Sequence, residues 1–370
     1  MATQRRVGVG IIGCGNISSQ YLKAMRDFPV LDIIAIADMK PEVADRKAAE
    51  FGLTAVTVDA LLADPGVEIV VNLTIPRAHV EVGLRALVAG KHVYSEKPLG
   101  VTFAEGKKLA DFARQAGLRI GSAPDTFLGG GHQKARELLD SGEVGAVVGG
   151  TAFMGVPGHE RWHPDPAFYY DIGGGPMLDM GPYYITDLVN LLGPVARVSA
   201  MSATPQTERP IYSEPKKGQL MPVKVFTHVA GLLQFRSGAI IQMTMSFDVP
   251  GHTHVPIEIY GSKLSMLVPD PNNFGGEIKT RPATSKEWTP VDYTTPYADA
   301  NYRSLGVADM ALAIVENRPH RASGELALHV LEVMEAFEMA SKENRPVEIS
   351  TSVERPAPLS ESLVEGRIAR

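Results

Sequence analysis

The sequence predicts two domains: an α/β Rossmann domain with a doubly wound parallel sheet, then an α+β domain on an open, mostly antiparallel sheet. At 370 residues the chain is too long for one small core. Short apolar runs alternate with helical patterns in the first third, which is typical of a parallel sheet covered by helices. Strand patterns follow one another directly in the second half, and residues 241–247 alternate apolar and polar side chains. Because the first pattern ends near residue 123, we expect domains at 1–122 and 123–370.

The first predicted strand, Val7–Ile12, leads into a glycine-rich turn and then a helical pattern. Gly13 permits a backbone conformation that a Cβ atom would block, and Gly15 allows a diphosphate to approach the backbone closely. Free N–H groups and the positive end of the helix dipole attract that anion. The third glycine position of this dinucleotide fingerprint holds Ser18, which is small but departs from the usual Gly or Ala.

The second apolar run, Leu31–Ala37, ends in Asp38, twenty residues after Ser18. At that distance an acidic side chain accepts hydrogen bonds from the adenosine ribose. Because a carboxylate repels a 2′-phosphate, Asp38 favours NAD over NADP. Lys40 weakens this preference without reversing it, so NADP stays open.

The remaining elements of the first domain follow the same alternation. Further strands are expected at 67–73, 92–95 and 119–122, and helices near 41–51, 77–89 and 102–116. Gly52, Gly90 and Gly117 lie where the C-caps of these helices should be.

The second domain is expected to place helices over one face of its sheet. Strands are predicted near 144–154, 195–204 and 254–268, and Ser237-Gly238 predicts a hairpin turn between a strand that ends at Phe235 and the alternating strand. Helices near 176–191, 300–316 and 323–342 should cover the buried face. The segments 205–221 and 270–298 are rich in Pro, Gly and polar residues and are interpreted as loops.

Composition narrows the function classes. A net charge of −6 gives no basic surface for nucleic acid or anionic membrane. No apolar run reaches transmembrane length, and Met1–Arg6 meets the first strand too soon for a signal peptide. Cys14 is the only cysteine, so there is no disulfide, and it is interpreted as a small filler of the turn. We expect a cytoplasmic enzyme.

Two predicted strand ends carry distinctive residues, Thr74-Ile75-Pro76 and Glu96-Lys97-Pro98. In open parallel sheets, ligands bind beyond the carboxyl ends of the strands. Pro98 keeps Lys97 out of the helical region, so its amine can reach a substrate hydroxyl. Partial burial is expected to lower the pKa of Lys97 toward the range useful for proton transfer. The alternative is a surface lysine paired with Glu96.

Together with the glycine turn, these blocks resemble the glucose-fructose oxidoreductase/inositol dehydrogenase/MocA (Gfo/Idh/MocA) family. The resemblance also rests on His79, on residues 173–183 (GGGPMLDMGPY) and on a tail at 321–332. It implies an NAD(P)-dependent enzyme that oxidises or reduces a secondary hydroxyl of a sugar, cyclitol or related polyol, with Lys97 in proton transfer and substrate positioning. The cofactor-binding residues that we assign are Gly13, Gly15, Asn16, Ile17, Asp38, Thr74, Pro76, His79, Glu96 and Lys97.

The glycine-rich block at 173–175 predicts a close approach to another backbone at a helix start. Asp179 and Tyr183, four residues apart, then share one helical face, and Asp187 continues it. The family usually has histidine where this chain has Tyr183. Either Tyr183 is an acid/base beside Lys97, or it only binds and Lys97 works with Asp179. The predicted catalytic residues are therefore Lys97, Asp179 and Tyr183.

A polar and aromatic segment at 159–170 is predicted to be a loop that overhangs the pocket. Its aromatic and basic side chains suit stacking on a sugar face and hydrogen bonds to hydroxyls. Histidines 159, 163, 252 and 254 could suggest zinc, but hydride transfer to nicotinamide requires no metal, so none is expected. The assigned substrate-binding residues are Lys97, Asp125, Arg161, Trp162, His163, Asp179 and Tyr183; His132 is a weaker candidate.

Three functions remain open at the level of sequence. The first is the polyol dehydrogenase. The second is an NAD-dependent glycoside-cleaving enzyme that oxidises a sugar transiently, eliminates the aglycone and returns the hydride. The third is a non-catalytic dinucleotide-binding regulator, favoured only by Tyr183. A homo-oligomer, a dimer or tetramer, is expected because relatives commonly associate through the open sheet, whose polar face could meet a partner subunit.

Overall fold

A computed structural model describes residues 5–359 of the chain. Residues 1–4, on which the expectation of no signal peptide partly depends, and residues 360–370 lie outside the described part. The chain divides into two compact units. Unit 1 contains the residues up to Gln133, Thr294–Leu331 and the residues from Pro356, and unit 2 contains Lys134–Tyr293 and Glu332–Arg355. Both units are thus discontinuous in sequence, whereas the expected domains are continuous.

Unit 1 is built on a parallel five-stranded sheet in the order β2-β1-β3-β4-β5, which confirms the predicted Rossmann fold. Its strands are fully or largely buried because helices cover a parallel sheet. The strands are β1 Val7–Ile12, β2 Leu31–Ala37, β3 Ile69–Asn72, β4 His92–Ser95 and β5 Ile120–Ser122. The helices are α1 Ser18–Met25, α2 Pro41–Phe51, α3 Val58–Ala63, α4 His79–Val88, α5 Phe103–Gln115 and α8 Leu305–Val315.

Two helices of unit 1 differ from the sequence expectations. The short helix α3 was not predicted, since its six residues give little periodic signal; Thr57 caps it by accepting the Ala60 N–H. The helix predicted near 300–316 does not cover the antiparallel sheet: α8 packs against β5 and α1 instead. Nine of its eleven residues are buried, and except for Asp309 they are apolar or glycine, so the pattern identified a helix without showing which sheet it covers.

Unit 2 is built on a nine-stranded sheet in the order β15-β14-β13-β12-β6-β11-β10-β7-β16. β6 and β11 run parallel and the other neighbours run antiparallel, so the predicted mostly antiparallel sheet is confirmed. Its strands are β6 Val147–Gly155, β7 Val195–Ala203, β10 His228–Phe235, β11 Ile240–Ser246, β12 Ile257–Gly261, β13 Leu264–Val268, β14 Lys279–Pro282, β15 Thr289–Pro290 and β16 Val347–Glu348. A separate pair joins β8 Glu208–Pro210 to β9 Leu220–Pro222.

Helix α7, Pro176–Leu192, lies on β10 and β11 as predicted. Two further helices, α6 Gly130–Asp140 and α9 Gly324–Glu343, cross the sequence boundaries of the units. In unit 2, the C-terminal part of α9 contacts the sheet: the Ser341 hydroxyl accepts the Ser202 N–H over 2.8 Å. None of the helices in the described residues is long and apolar enough to cross a bilayer.

The segments interpreted as loops are only partly irregular. The range 205–221 contains β8 and the first residues of β9, and the range 270–298 contains β14 and β15. The expected strand at 254–268 is two strands, β12 and β13, joined by a tight turn. The short strands β14 and β15 have no buried side chains, so they lack the alternating pattern that identified β11.

Candidate active site

The glycine turn after β1 has the geometry that the sequence predicted. Gly13 has φ +104°, and a Cβ atom there would lie 2.6 Å from the carbonyl carbon and oxygen of Leu73. Its N–H donates to Ala37 O over 2.8 Å, which ties the turn to the end of β2. A Cβ atom at Gly15 would meet nothing within 4 Å. The requirement for glycine at 13 is confirmed, and Gly15 leaves open space where a diphosphate is expected.

The turn accommodates Ser18 at the position where the fingerprint usually has Gly or Ala. Its side chain is buried, and its hydroxyl donates to Gly15 O over 2.6 Å. The extra oxygen therefore closes the turn from inside rather than obstructing it. Asn16 is exposed, Ile17 is half-buried, and no side chain caps the N-terminus of α1.

Asp38 lies beside the turn. Its Oδ2 accepts the Cys14 N–H and its Oδ1 accepts the Lys40 N–H, both over 2.9 Å. The Cys14 thiol lies 3.5 Å from Ala37 O, and burial, aided by the charge of Asp38, raises its pKa to about 11. A thiol with this pKa stays protonated near neutral pH, which supports Cys14 as a filler.

His79 joins the two loops that follow β3 and β4. It is fully buried, with Nε2 2.9 Å from Thr74 O and Nδ1 2.7 Å from Pro98 O. Burial lowers the pKa of His79. The ring therefore fixes the loop of Thr74 and Pro76 against the loop of Lys97, and its direct contact with a cofactor stays a prediction.

Glu96 is anchored inside unit 1 by the hydroxyl of a buried tyrosine. The Tyr21 hydroxyl donates to Glu96 Oε1 over 2.7 Å, and the Lys97 backbone N–H donates to Oε2 over 3.0 Å. Burial and then the charge of Glu96 raise the pKa of Tyr21. Glu96 thus holds the backbone of the following residue in place, while the Lys97 side chain is only partly buried at the end of β4.

Asp125 has a structural role that the sequence did not suggest. It is 1% exposed, and its Oδ2 accepts the N–H groups of Ser304 and Gly306 over 3.0 and 2.9 Å. A carboxylate at the first turn of α8 satisfies N–H groups that lack helical partners. His132 is also buried. Substrate binding by Asp125 stays a prediction.

In unit 2, the glycine block brings the chain against another backbone, as predicted. A Cβ atom at Gly174 would lie 2.5 Å from Phe168 O and 2.6 Å from Tyr169 O. Gly173 and Gly175 have φ +89° and +90°, in the region that favours glycine. Pro176 then occupies the first turn of α7. This entry sets the direction of the helix that carries Asp179 and Tyr183.

Asp179 contacts a histidine that the sequence assigned to the loop but not to catalysis. His159 Nε2 lies 3.2 Å from Asp179 Oδ2, and the Trp162 Nε1–H donates to His159 Nδ1 over 3.2 Å. Tyr183 is 7% exposed, whereas Trp162 is 61% exposed. Contacts between positions 20 residues apart outside one helix leave no periodic signal, so the sequence could not show this pair.

A buried ion network holds the 159–170 segment. Glu160 and Arg209 pair over 3.0 Å with side chains 4% exposed, and Arg209 also pairs with Asp248. The Tyr170 hydroxyl donates to Glu160. The predicted loop therefore contains two short 3-10 helices, His159–Arg161 and Pro166–Tyr169, that are fixed by charge.

The other predicted sugar-binding residues lie at the surface of this segment. Arg161 donates from Nε to Pro157 O over 3.2 Å and stacks on Tyr212, and His163 Nδ1 accepts the Asp165 N–H over 3.0 Å. His252 and His254 flank the ring of Phe153 instead. Within residues 5–359, no group of three or more His, Cys, Asp or Glu side chains is arranged to hold a metal ion.

Two family models match this chain. Residues 7–123 match the model described as "Oxidoreductase family, NAD-binding Rossmann fold", and residues 132–267 match the GFO/IDH/MocA C-terminal domain. The chain belongs to the Gfo/Idh/MocA family of oxidoreductases, and the resemblance seen in the sequence is confirmed. The family assigns a nicotinamide dinucleotide to the Rossmann unit, in agreement with the open space at Gly15.

Individual relatives share about a quarter to a third of the aligned residues with this chain. The chain is 34% identical over 204 residues to "dTDP-3,4-didehydro-2,6-dideoxy-alpha-D-glucose 3-reductase" of Saccharopolyspora spinosa, covering 54% of this chain and 60% of that protein. Three relatives with this name match over only 55% to 60% of their own length. The "1,5-anhydro-D-fructose reductase" of Ensifer adhaerens is 24% identical over 353 residues, 93% of this chain and 99% of that protein.

Solved structures share the fold. A levoglucosan dehydrogenase in complex with NADH and L-sorbose superposes with a TM-score of 0.82 at 21% identity, over 94% of this chain and 100% of that one. At this identity the likeness shows the architecture of the two units and no more.

Proposed function

We propose that this chain is an NAD-dependent oxidoreductase that acts on a secondary hydroxyl of a sugar, cyclitol or related polyol. The observation that carries the proposal is the turn at residues 13–18 in a chain of this family. The backbone at position 13 requires glycine, and the space beside Gly15 leaves room for a diphosphate. Sugar oxidoreductases among its relatives support the substrate class.

The residues of unit 1 fit the cofactor. The N–H groups around Gly15, Asn16 and Ile17 would hold the diphosphate, and Asp38 would accept hydrogen bonds from the adenosine ribose while keeping its own bonds to the turn. When bound, the nicotinamide supplies the hydride acceptor or donor. The Asp38 carboxylate favours NAD, because it repels a 2′-phosphate.

Lys97 is proposed as the group that moves the hydroxyl proton. Its backbone is fixed from both sides: Glu96 holds its N–H, and His79 holds the next carbonyl, Pro98 O. A positioned amine transfers a proton better than a mobile one, since the entropy of orientation is already lost. Asp179 and Tyr183 of unit 2 are proposed to contact the substrate, with Tyr183 either as acid/base or as a binding residue.

The test is the Lys97→Ala variant with a panel of polyols and NAD. We expect NADH binding to persist while turnover falls by about 10²–10⁴-fold, because general acid–base catalysis is lost. Lys108→Ala, at an exposed position on α5, is the matched control and should keep wild-type activity. Near-wild-type turnover in Lys97→Ala would reject the role of Lys97. Aglycone release from a glycoside without net NADH would instead support the glycoside-cleaving alternative.

We also propose a homo-oligomer formed through unit 2. Leu232 and Ile240 on the outer face of the sheet are each 48% exposed, and Met201 is 77% exposed. Apolar side chains gathered on one face favour contact with a second copy. Light scattering of the purified protein should give a dimer or tetramer mass, and a monomer mass would contradict the proposal.

A further inference from the structure

We propose that His159 is a positioning residue that holds the Asp179 carboxylate in one orientation, and that Trp162 fixes the tautomer of His159. The role in turnover depends on the proposed oxidoreductase function, whereas the pair itself is a property of unit 2. We name the Trp162–His159–Asp179 chain the indole relay.

The partners of the imidazole determine its tautomer. An indole N–H can only donate, so His159 Nδ1 accepts from Trp162 and carries no proton in the neutral ring. The single proton of the neutral ring must then lie on Nε2, which is 3.2 Å from Asp179 Oδ2. A donor aimed at a carboxylate stabilises its ionised form and fixes the direction of its lone pairs.

The ring is held on its other sides by packing. Its centroid lies 4.0 Å from the ring of Tyr169 and 4.5 Å from that of Phe247. The His159 backbone N–H donates to the Tyr170 hydroxyl over 3.1 Å. The next residue, Glu160, belongs to the buried network with Arg209. The imidazole is therefore placed by a rigid segment, as a positioning role requires.

The relay combines a helix with a separate segment. Helix α7 contains no histidine, so the imidazole that contacts its Asp179 comes from the 3-10 helix His159–Arg161. The side chains of His159 and Asp179 are 13% and 18% exposed, which leaves the pair reachable from solvent. Because the indole of Trp162 is exposed, the chain of contacts runs from the protein surface through His159 to the Asp179 carboxylate.

Protonation of His159 would break the relay. The imidazolium carries a proton on Nδ1, which cannot face the Trp162 N–H, so the indole must move. The ionisable groups around the ring are Asp179 from α7, Tyr169 at the end of the second 3-10 helix, Tyr170 directly after it, and the adjacent Glu160, which is paired with Arg209. His163 lies beside Trp162, with centroids 5.2 Å apart.

Trp162 can report its hydrogen bond to His159 without any substrate. The chain has two tryptophans, so Trp288→Phe leaves Trp162 as the sole indole reporter. In that background we expect His159→Gln to change the Trp162 emission, because the indole N–H loses its acceptor, His159 Nδ1. His254→Gln, at an exposed position of unit 2, should leave the emission unchanged.

Steady-state kinetics with NAD and the best polyol of the panel test whether the position of Asp179 affects turnover. His159→Gln should lower kcat by about 10²-fold, as misplacement of a catalytic contact does, with unchanged NADH binding. His254→Gln, the same exchange at an exposed position of unit 2, is the matched control.

The outcomes separate the two proposals. A Trp162 emission unchanged by His159→Gln overturns the relay even in an active enzyme, and a wild-type kcat in His159→Gln overturns the positioning role. An intact relay in a protein that binds NADH but turns over no polyol contradicts the proposed function alone.

Discussion

In the turn at residues 13–18, backbone groups form the site, whereas in the Asp179 region, side chains form it. The turn depends on the φ angle of Gly13, on the missing Cβ of Gly15 and on hydrogen bonds to main-chain atoms. The Asp179 region depends on a carboxylate, an imidazole and an indole in contact, supported by buried charges.

The two constructions respond differently to substitution. A backbone site tolerates most side-chain exchanges and fails where a Cβ atom meets another main chain. A side-chain site fails when one member of a buried group is removed, because its partners remain desolvated and unpaired. Substitutions in each region can therefore test the contrast.

Removing Arg209 is the most damaging change expected in unit 2. In Arg209→Met, Glu160 and Asp248 lose a shared partner, and we expect the free energy of unfolding to fall by about 3–5 kcal/mol. Urea unfolding measures it. Lys216→Met removes an exposed ion pair with Asp165 and should change stability by no more than about 1 kcal/mol. Equal effects would contradict the account of a buried network.

A methyl group at Gly13 tests the backbone site. Gly13→Ala combines a disfavoured φ with a 2.6 Å approach to Leu73, so stability should fall by at least about 1–3 kcal/mol and NADH binding with it. Gly15→Ala is the matched control, since its methyl group meets no protein atom within 4 Å. It should keep the melting temperature and weaken NADH binding alone. A destabilised Gly15→Ala would show that the space is not reserved for a ligand.

Replacing Asp38 should alter cofactor choice more than stability. In Asp38→Ser, the repulsion of a 2′-phosphate disappears, and we expect the NAD-to-NADP preference to shift by about tenfold, or about 1.4 kcal/mol. Titration of both cofactors by fluorescence quenching measures the ratio. An unchanged ratio would show that Asp38 serves only the turn through Cys14 and Lys40.

A further prediction concerns the reactivity of the Cys14 thiol. With its pKa raised to about 11 from 9.0, the folded protein has less thiolate at pH 8 than the unfolded chain. Thiol reagents should therefore react about 100-fold more slowly in buffer than in urea, and the rate should rise with pH up to about pH 11. Equal rates would mean that the turn opens readily.

The sequence predicted the turn more completely than the Asp179 region, for a physical reason. Strand, glycine and helix signals between Val7 and Asp38 are local, and they determined the backbone that forms the site. The His159–Asp179 contact and the Arg209 network join distant segments, whose meeting depends on tertiary packing. The sheet covered by α8 was wrongly predicted for the same reason: a helix that is apolar on nearly every side does not specify its partner.

Calorimetry of the purified chain with NADH measures directly whether the glycine turn of unit 1 binds a nicotinamide dinucleotide. We expect saturable heat for one site, which Gly15→Val abolishes without a loss of folding. Absence of binding heat with NAD, NADH, NADP and NADPH, or undiminished affinity in Gly15→Val, would contradict it.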